Sequence, residues 1–347
     1  YNEKEVALYD PYHAFATSQF DLTNAGVHFN RREIVDPWNI EPEKNQGGDI
    51  GIETGWLNNR ITFAAEWHSS ESKNFVGAGI VDDNHFTLEN IGTVKSSGWN
   101  MDLNLRSNYN RLRQSLGVSF TQMRSTVTHL NGNKTIHRIA GFDDFASVAM
   151  KDEAYGAFYG SRYLRDAYGT IQTDANNLKV VDNENGIVGD PTPDFTMGVN
   201  YELSYHGFSL STMWEYKHGG DVWNGTKATM NYFGVGSETV ESERDAAVFE
   251  KFTANGPMGV SEDYIEDGTW LRLSYLQLTY DFPSHLIQSL KMKKAQLFLY
   301  GNNLFLYTPY SGIDPETSMT GEVNGFGMDY FNMPNTRSYG VGVKVEF

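Results

Sequence analysis

The chain has 347 residues, no cysteine and a formal net charge of −17, from 27 basic and 44 acidic side chains. This balance excludes a nucleic-acid binder, which needs clustered Lys and Arg; the missing thiols exclude disulfides, thiolate metal sites and cysteine nucleophiles. Mean hydropathy is −0.48 and no apolar run approaches the roughly 18 residues of a membrane helix. A spanning β-barrel escapes that test, because its polar lumen face dilutes every lipid-facing residue.

Taken in chain order, the strands are signalled by period two. A strand before residue 22 is required by the loop count below but is weakly signalled. Ile50, Ile52, Thr54 and Trp56 oppose Gly51, Glu53 and Gly55. Ile61, Phe63, Ala65 and Trp67 oppose Thr62, Glu66 and His68, and Trp99, Met101, Leu103 and Leu105 oppose Asn100, Asp102, Asn104 and Arg106. Leu112 to Phe120 and Phe208 to Tyr216 alternate nearly as well. Between them, Phe195, Val199, Leu203 and their parity mates oppose Thr196, Asn200 and Glu202. In Thr269 to Phe282 the apolar parity changes after Tyr275, which predicts a bulge near Ser274-Tyr275. Gln296 to Asn302 is apolar on both parities and is assigned as a strand by position. The last stretch puts Tyr339, Val341, Val343, Val345 and Phe347 on one face and Ser338, Gly340, Gly342, Lys344 and Glu346 on the other.

Register supplies an independent test. A two-residue turn at Asn58-Asn59 sets Trp56 opposite Ile61, Thr54 opposite Phe63 and Ile52 opposite Ala65; one at His206-Gly207 sets Leu203 opposite Leu210 and Val199 opposite Trp214. In both hairpins the apolar faces coincide, which a one-residue slip would invert. Tight connections also fall at Asn108 to Asn110 and, with a short helix through Leu286 and Leu290, after Pro283. Long ones fall at roughly 69–94, 125–192, 218–268 and 304–335. Short and long alternate strictly, as periplasmic turns and extracellular loops do, and the count brings Phe347 to the short-turn side. Trp56 beside a turn and Trp67 at the far end of the next strand fit aromatic girdles at two interfaces.

Catalytic motifs are lacking. There is no HExxH, GxSxG or Walker A pattern, and the many carboxylate pairs of so acidic a chain read as solvated loops, so no enzyme is expected. Asp182 to Gly186 resembles a calcium loop, but aligning Gly186 to the turn glycine leaves Val181 where the leading carboxylate belongs; no metal or cofactor is expected. The long connections are rich in aromatics beside Asn, Asp and Glu. Tyr159, Tyr163, Trp223 and Tyr310 are the candidate substrate-binding residues, against the alternative that each packs a long loop into a cap.

The last eighty residues carry a family resemblance. Asp267 to Pro283, Leu299 to Phe305, Tyr310 to Glu316 and the ending Pro334 to Phe347 resemble SusC/RagA-type TonB-dependent transporters. Glu41 to Lys44, Asn59 to Ile61, Asn90 to Gly92, Ser161 to Asp166 and Gly189 to Phe195 are similar in the same order, so the resemblance covers roughly residues 40–347. It implies an all-β, transmembrane antiparallel β-barrel in the outer membrane, of which this chain would be the carboxy-terminal portion: about ten strands of a likely 22. It implies a plug and remaining amino-terminal strands outside residues 1–347, a SusD-like surface lipoprotein, and energy from the TonB-ExbB-ExbD complex. Phe347 would be the terminal aromatic that the barrel-assembly machinery reads. The implied activity is import of oligosaccharides in Bacteroidota, or of oligopeptides in some members. A passive porin shares the barrel, and a secreted carbohydrate-binding β-sandwich shares the alternation.

Overall fold

The computed structural model describes residues 33–34, 40–80, 85–175, 177–240, 255–319 and 325–347. In chain order the strands are β1 (Glu33–Ile34), β2 (Lys44–Trp56), β3 (Ile61–Ile80), β4 (His85–Tyr109), β5 (Leu112–Leu130), β6 (Ile136–Gly141), β7 (Phe145–Met150), β8 (Ala157–Gly160), β9 (Gly186–Gly189), β10 (Phe195–Tyr205), β11 (Phe208–His218), β12 (Asp221–Asn224), β13 (Ile265–Asp267), β14 (Trp270–Asp281), β15 (Lys294–Tyr307), β16 (Met328–Asp329) and β17 (Ser338–Glu346). Ten of them form one sheet, an antiparallel meander in the order β2-β3-β4-β5-β10-β11-β14-β15-β17 with β1 attached in parallel to β4. The expected strand before residue 22 lies outside the described residues. Among the described residues β2 and β17 are the two edges, so the wall is an open arc.

Both registers match the expectation. Trp56 pairs with Ile61 and Ile52 with Ala65; Leu203 pairs with Leu210 and Val199 with Trp214. At each turn both central residues have positive φ, 57° and 60° at Asn58 and Asn59 and 48° and 87° at His206 and Gly207, as a type I′ turn requires. The third turn is displaced from its expected place. Asn108 and Tyr109 are still paired, with Arg113 and Leu112, so the turn is Asn110-Arg111. After Pro283 a short helix α1 (Ser284–Ile287) forms as expected. Phe347 lies at this same end, where Lys293 Nζ donates to its carbonyl oxygen at 2.8 Å.

One face of the wall is apolar and uncovered: Ile50 is 71% exposed, Trp56 50% and Val341 68%. A sandwich would bury this face under a second sheet. The opposite face is polar and continuous. Gly55, Thr62, Asn104, Gly117, Asn200, Met213, Tyr275, Asn302 and Ser338 are joined pair by pair into one row across every strand of the meander.

The predicted bulge is present. Leu273 and Tyr275 are paired while Ser274 is passed over, and opposite it on β15 the ladder steps from Asn302 to Phe305. The single extra residue on β14 reverses parity, so Leu271 and Leu273 above it share the lipid face with Leu276 and Leu278 below it. The doubly apolar segment of β15 has its reason in β17. Leu297 and Leu299 pair with Val343 and Val341 on the lipid face, while Phe298 and Tyr300 pair with Gly342 and Gly340 on the lumen face. A Cβ at Gly340 or Gly342 would lie 2.4 or 2.3 Å from those rings, so the rings lie flat where the glycines leave room.

The expected 69–94 connection is strand rather than loop. β3 and β4 continue their ladder to Ile80 and Phe86. Alternation fades there because the ribbon has left the wall: Phe75 and Ile91 pack locally against Val127, Leu130 and Ile139, and no continuous apolar face is required along its length. Glu71 pairs with Lys73 at 2.9 Å and Lys95 at 3.5 Å instead. The remaining long connections do bundle at this end, as a four-stranded sheet β6-β7-β8-β9 and a three-stranded sheet β13-β12-β16. The buried apolar clusters belong to this cap. One gathers Phe145, Phe158, Trp223, Met258, Tyr264 and Met328; the other gathers Phe75, Ile91, Val127, Leu130 and Ile139.

Candidate functional site

The site lies where the cap meets the lumen face of β11 and β14. Because Ser274 reverses the parity of β14, Trp270 and Arg272 turn onto the lumen face, opposite Lys217 and Glu215 of β11; the Ser274 hydroxyl donates to the Glu215 carboxylate. The connection from β15 to β17 folds over them. Arg272 Nη2 is 2.8 Å from an Asp314 carboxylate oxygen and 3.3 Å from one of Glu316. The guanidinium lies 5.1 Å from the Trp270 ring centre, and Lys217 Nζ 5.0 Å from that of Phe326. Lys217, Trp270 and Arg272 are 3%, 7% and 4% exposed. Burial pushes the Glu316 carboxyl above its ordinary range, with Arg272 pulling the other way. Asp314 and Glu316 also line a pocket of about 330 Å³, together with Thr317, Asp329, Asn332 and Met333.

The four aromatics expected to touch solute divide unevenly. Trp223 is fully buried, stacked on Phe145 at 4.1 Å between ring centres and nearly parallel to Tyr330. Tyr310 is buried and donates to Asp329 at 2.6 Å, which with burial drives its phenol pKa well above the ordinary value. Tyr163 is buried, hydrogen-bonded to Asp263, with Lys179 Nζ 4.4 Å from its ring centre. Tyr159, in β8 opposite Ala146 and Ile187, is half-buried. The structure thus places Trp223, Tyr163 and Tyr310 inside the packed cap. The physical reason is size: with Phe145, Phe158, Tyr264 and Met328, these large rings supply the apolar area with which the long connections exclude water.

Polar clips complete the cap. The Tyr163 amide donates to Glu262 at 2.9 Å, and Arg165 pairs with the same carboxylate, holding it below the ordinary carboxylate range. At the calcium-like loop, Arg162 Nε lies 3.2 Å from Asp182, and a Cβ on Gly186 would meet its guanidinium at 2.4 Å. An arginine thus neutralises that carboxylate. Among the described residues no group of three His, Asp or Glu side chains has metal-holding geometry.

Lys217, Trp270 and Arg272 were not singled out from sequence. The signal was available: carrying the predicted bulge through the pleat puts Trp270 and Arg272 on the lumen face beside Lys217.

Comparisons with known proteins agree with this architecture. Residues 13–304 match the family described as TonB dependent receptor-like, beta-barrel. The chain is 23% identical over 350 residues to the TonB-dependent receptor P3 of Formosa agariphila, covering 89% of this chain and 34% of that protein. It is 22% identical to the TonB-dependent receptor SusC of Bacteroides thetaiotaomicron, covering 89% and 32%. The fold superposes on a solved structure of the RagAB peptide transporter with a TM-score of 0.70 at 20% identity, over 88% of this chain and 35% of that one. The chain therefore spans about a third of the length of the curated relatives it matches. With the exposed apolar face, the polar opposite face and the sorted connections, the family match shows that the chain belongs to the TonB-dependent receptor-like β-barrel family of the outer membrane, and it is similar to SusC and to the RagAB transporter.

Proposed function

We propose that the parent protein of this chain imports oligosaccharides across the outer membrane, and that residues 1–347 form the carboxy-terminal part of its barrel. The observation that carries this reading is the lumen face. Asn100, Asn104, Ser115, Ser119, Thr121, Asn200 and Glu202 lie on neighbouring strands there, a lining of donors and acceptors suited to a polyhydroxylated chain. Further strands would pair with β2 and β17, since an unpaired edge in hydrocarbon costs several kcal/mol per unsatisfied group. A plug would fill the lumen and connect it to TonB-ExbB-ExbD. A SusD-like lipoprotein would sit on the cap, where Tyr168, Leu178, Phe331 and Met333 are exposed apolar residues. Tyr159, with partial exposure, is the sequence-proposed solute contact that this cap leaves accessible, while Tyr163, Trp223 and Tyr310 would act by holding the loops. Oligopeptide import is the second reading, favoured by the likeness in fold to a solved RagAB peptide transporter. Deleting the gene and comparing growth on oligosaccharides and on oligopeptides tests both. A defect confined to oligosaccharides is expected; one confined to peptides overturns the first reading. Uptake that persists without TonB makes the protein a passive porin.

A further inference from the structure

At the top of the lumen face three buried donors have no hydrogen-bond acceptor among the described residues: Lys217 Nζ, Trp270 Nε1 and Arg272 Nε. They belong together. Lys217 and Trp270 are direct cross-strand partners, which sets their Cβ atoms about 5 Å apart, and the Arg272 guanidinium lies over the Trp270 ring. A buried donor without an acceptor loses the desolvation energy of a polar group, and a cation loses more, so three on adjacent positions call for a shared acceptor. Asp314 and Glu316 supply only part of it. Both approach the same atom, Arg272 Nη2, and leave the Nε edge, the indole N–H and the ammonium without a hydrogen-bond acceptor, although Glu316, Asp221 and Asp267 lie near enough to act on the ammonium charge. The missing acceptor must offer several oxygens to donors that diverge from one wall, and two of the three donors carry positive charge. A neutral hydroxyl does not meet that demand; a carboxylate or sulfate does. The bulge at Ser274, which alone turns Trp270 and Arg272 into the lumen, is the kind of irregularity that re-aims side chains at binding sites.

We infer that Lys217, Trp270 and Arg272 form a subsite for an anionic group, carboxylate or sulfate, carried by the imported solute, and that the strap carboxylates Asp314 and Glu316 occupy its Arg272 edge until solute displaces them. This inference rests on the proposed import of oligosaccharides and narrows it to acidic ones. The test uses the full-length transporter in detergent, with binding measured by calorimetry. A sulfated or uronate-bearing oligosaccharide is titrated against a neutral one of equal length, and sodium sulfate and sodium acetate are titrated alone. The wild type is expected to prefer the anionic oligosaccharide at least about tenfold, and Lys217→Met and Trp270→Phe each to bring that ratio to within about threefold. The Trp270→Phe variant keeps the ring, so it tests the indole donor even where loss of the lysine disturbs the strap. Equal affinities in the wild type, or a ratio that neither variant changes, overturn the inference while leaving neutral-oligosaccharide import standing. Sulfate or acetate binding as tightly as the anionic oligosaccharide assigns the subsite to a small free anion and overturns the solute assignment. No binding of either oligosaccharide overturns the parent reading as well.

Discussion

Gly342 and Gly340 show how one missing side chain shapes the wall. Their lumen-side space is filled by Phe298 and Tyr300, so the closing strand can place two glycines on its lumen face and still lie under a continuous surface. Gly342→Val would drive a branched side chain into the Phe298 ring, and overpacking of this kind costs about 1–3 kcal/mol. The folded band on a heat-modifiability gel should convert at a lower temperature, and an unchanged transition would show that the ring has room to move. His137 contributes a pH dependence to the cap between about 4 and 6.5. It is buried beside Glu89 and Lys134, and burial lowers its pKa from 6.5 to about 4, with Glu89 opposing and Lys134 reinforcing the shift. The folded cap therefore refuses a proton that the unfolded chain accepts. Stability is complete above about 6.5 and falls as pH drops toward 4, because the unfolded state then binds more protons. Hydrogen exchange in β6 and β7 should accelerate over that window, and His137→Gln should flatten the dependence.

Among the elements, β14 matters most to the mouth. Its parity reversal is legible in sequence, because Leu271 and Leu273 and then Leu276 and Leu278 cannot share a face without an extra residue between them. Deleting Ser274 should therefore invert one half of the strand. Trp270 and Arg272 would turn toward the lipid side, where a charge costs about 0–1 kcal/mol near the interface and more with depth, and the buried Arg272 contacts to Asp314 and Glu316 would be lost. Loss of the folded, heat-modifiable species is the expected outcome; a stably inserted deletion variant would show that the register is set elsewhere. The β3–β4 ribbon shows the opposite case. Beyond the wall its hydrogen-bonded ladder continues with apolar contacts only at scattered positions such as Phe75 and Ile91, so alternation loses it although the strand persists.

The whole molecule divides its labour by height. The wall has exposed apolar residues on one side and polar ones on the other, and the buried clusters lie in the cap. Bilayer and cap thus do the jobs that a single core does in a soluble domain. The proposed parent barrel should need detergent once extracted from membranes and should shift its gel mobility on boiling. Solubility without detergent would contradict the membrane assignment despite the family match.

By itself the sequence determined the antiparallel meander, its hairpin registers, the bulge, the side on which Phe347 ends and the family. These follow from period two and turn chemistry, which are local, and from one buried face per strand, which forbids slippage. Only the tertiary structure decided what the loop aromatics do. Trp223, Tyr163 and Tyr310 look alike in sequence whether they wait for solute or pack against Phe145, Asp263 and Asp329, because burial in a cap depends on partners well outside the local sequence, up to a hundred residues away for Tyr163. The grouping of Lys217, Trp270 and Arg272 under Asp314 and Glu316 was decided in the same way. It needs the pairing of β11 with β14, the bulge between them and the fold-back of the β15–β17 connection at once, and no local pattern contains all three.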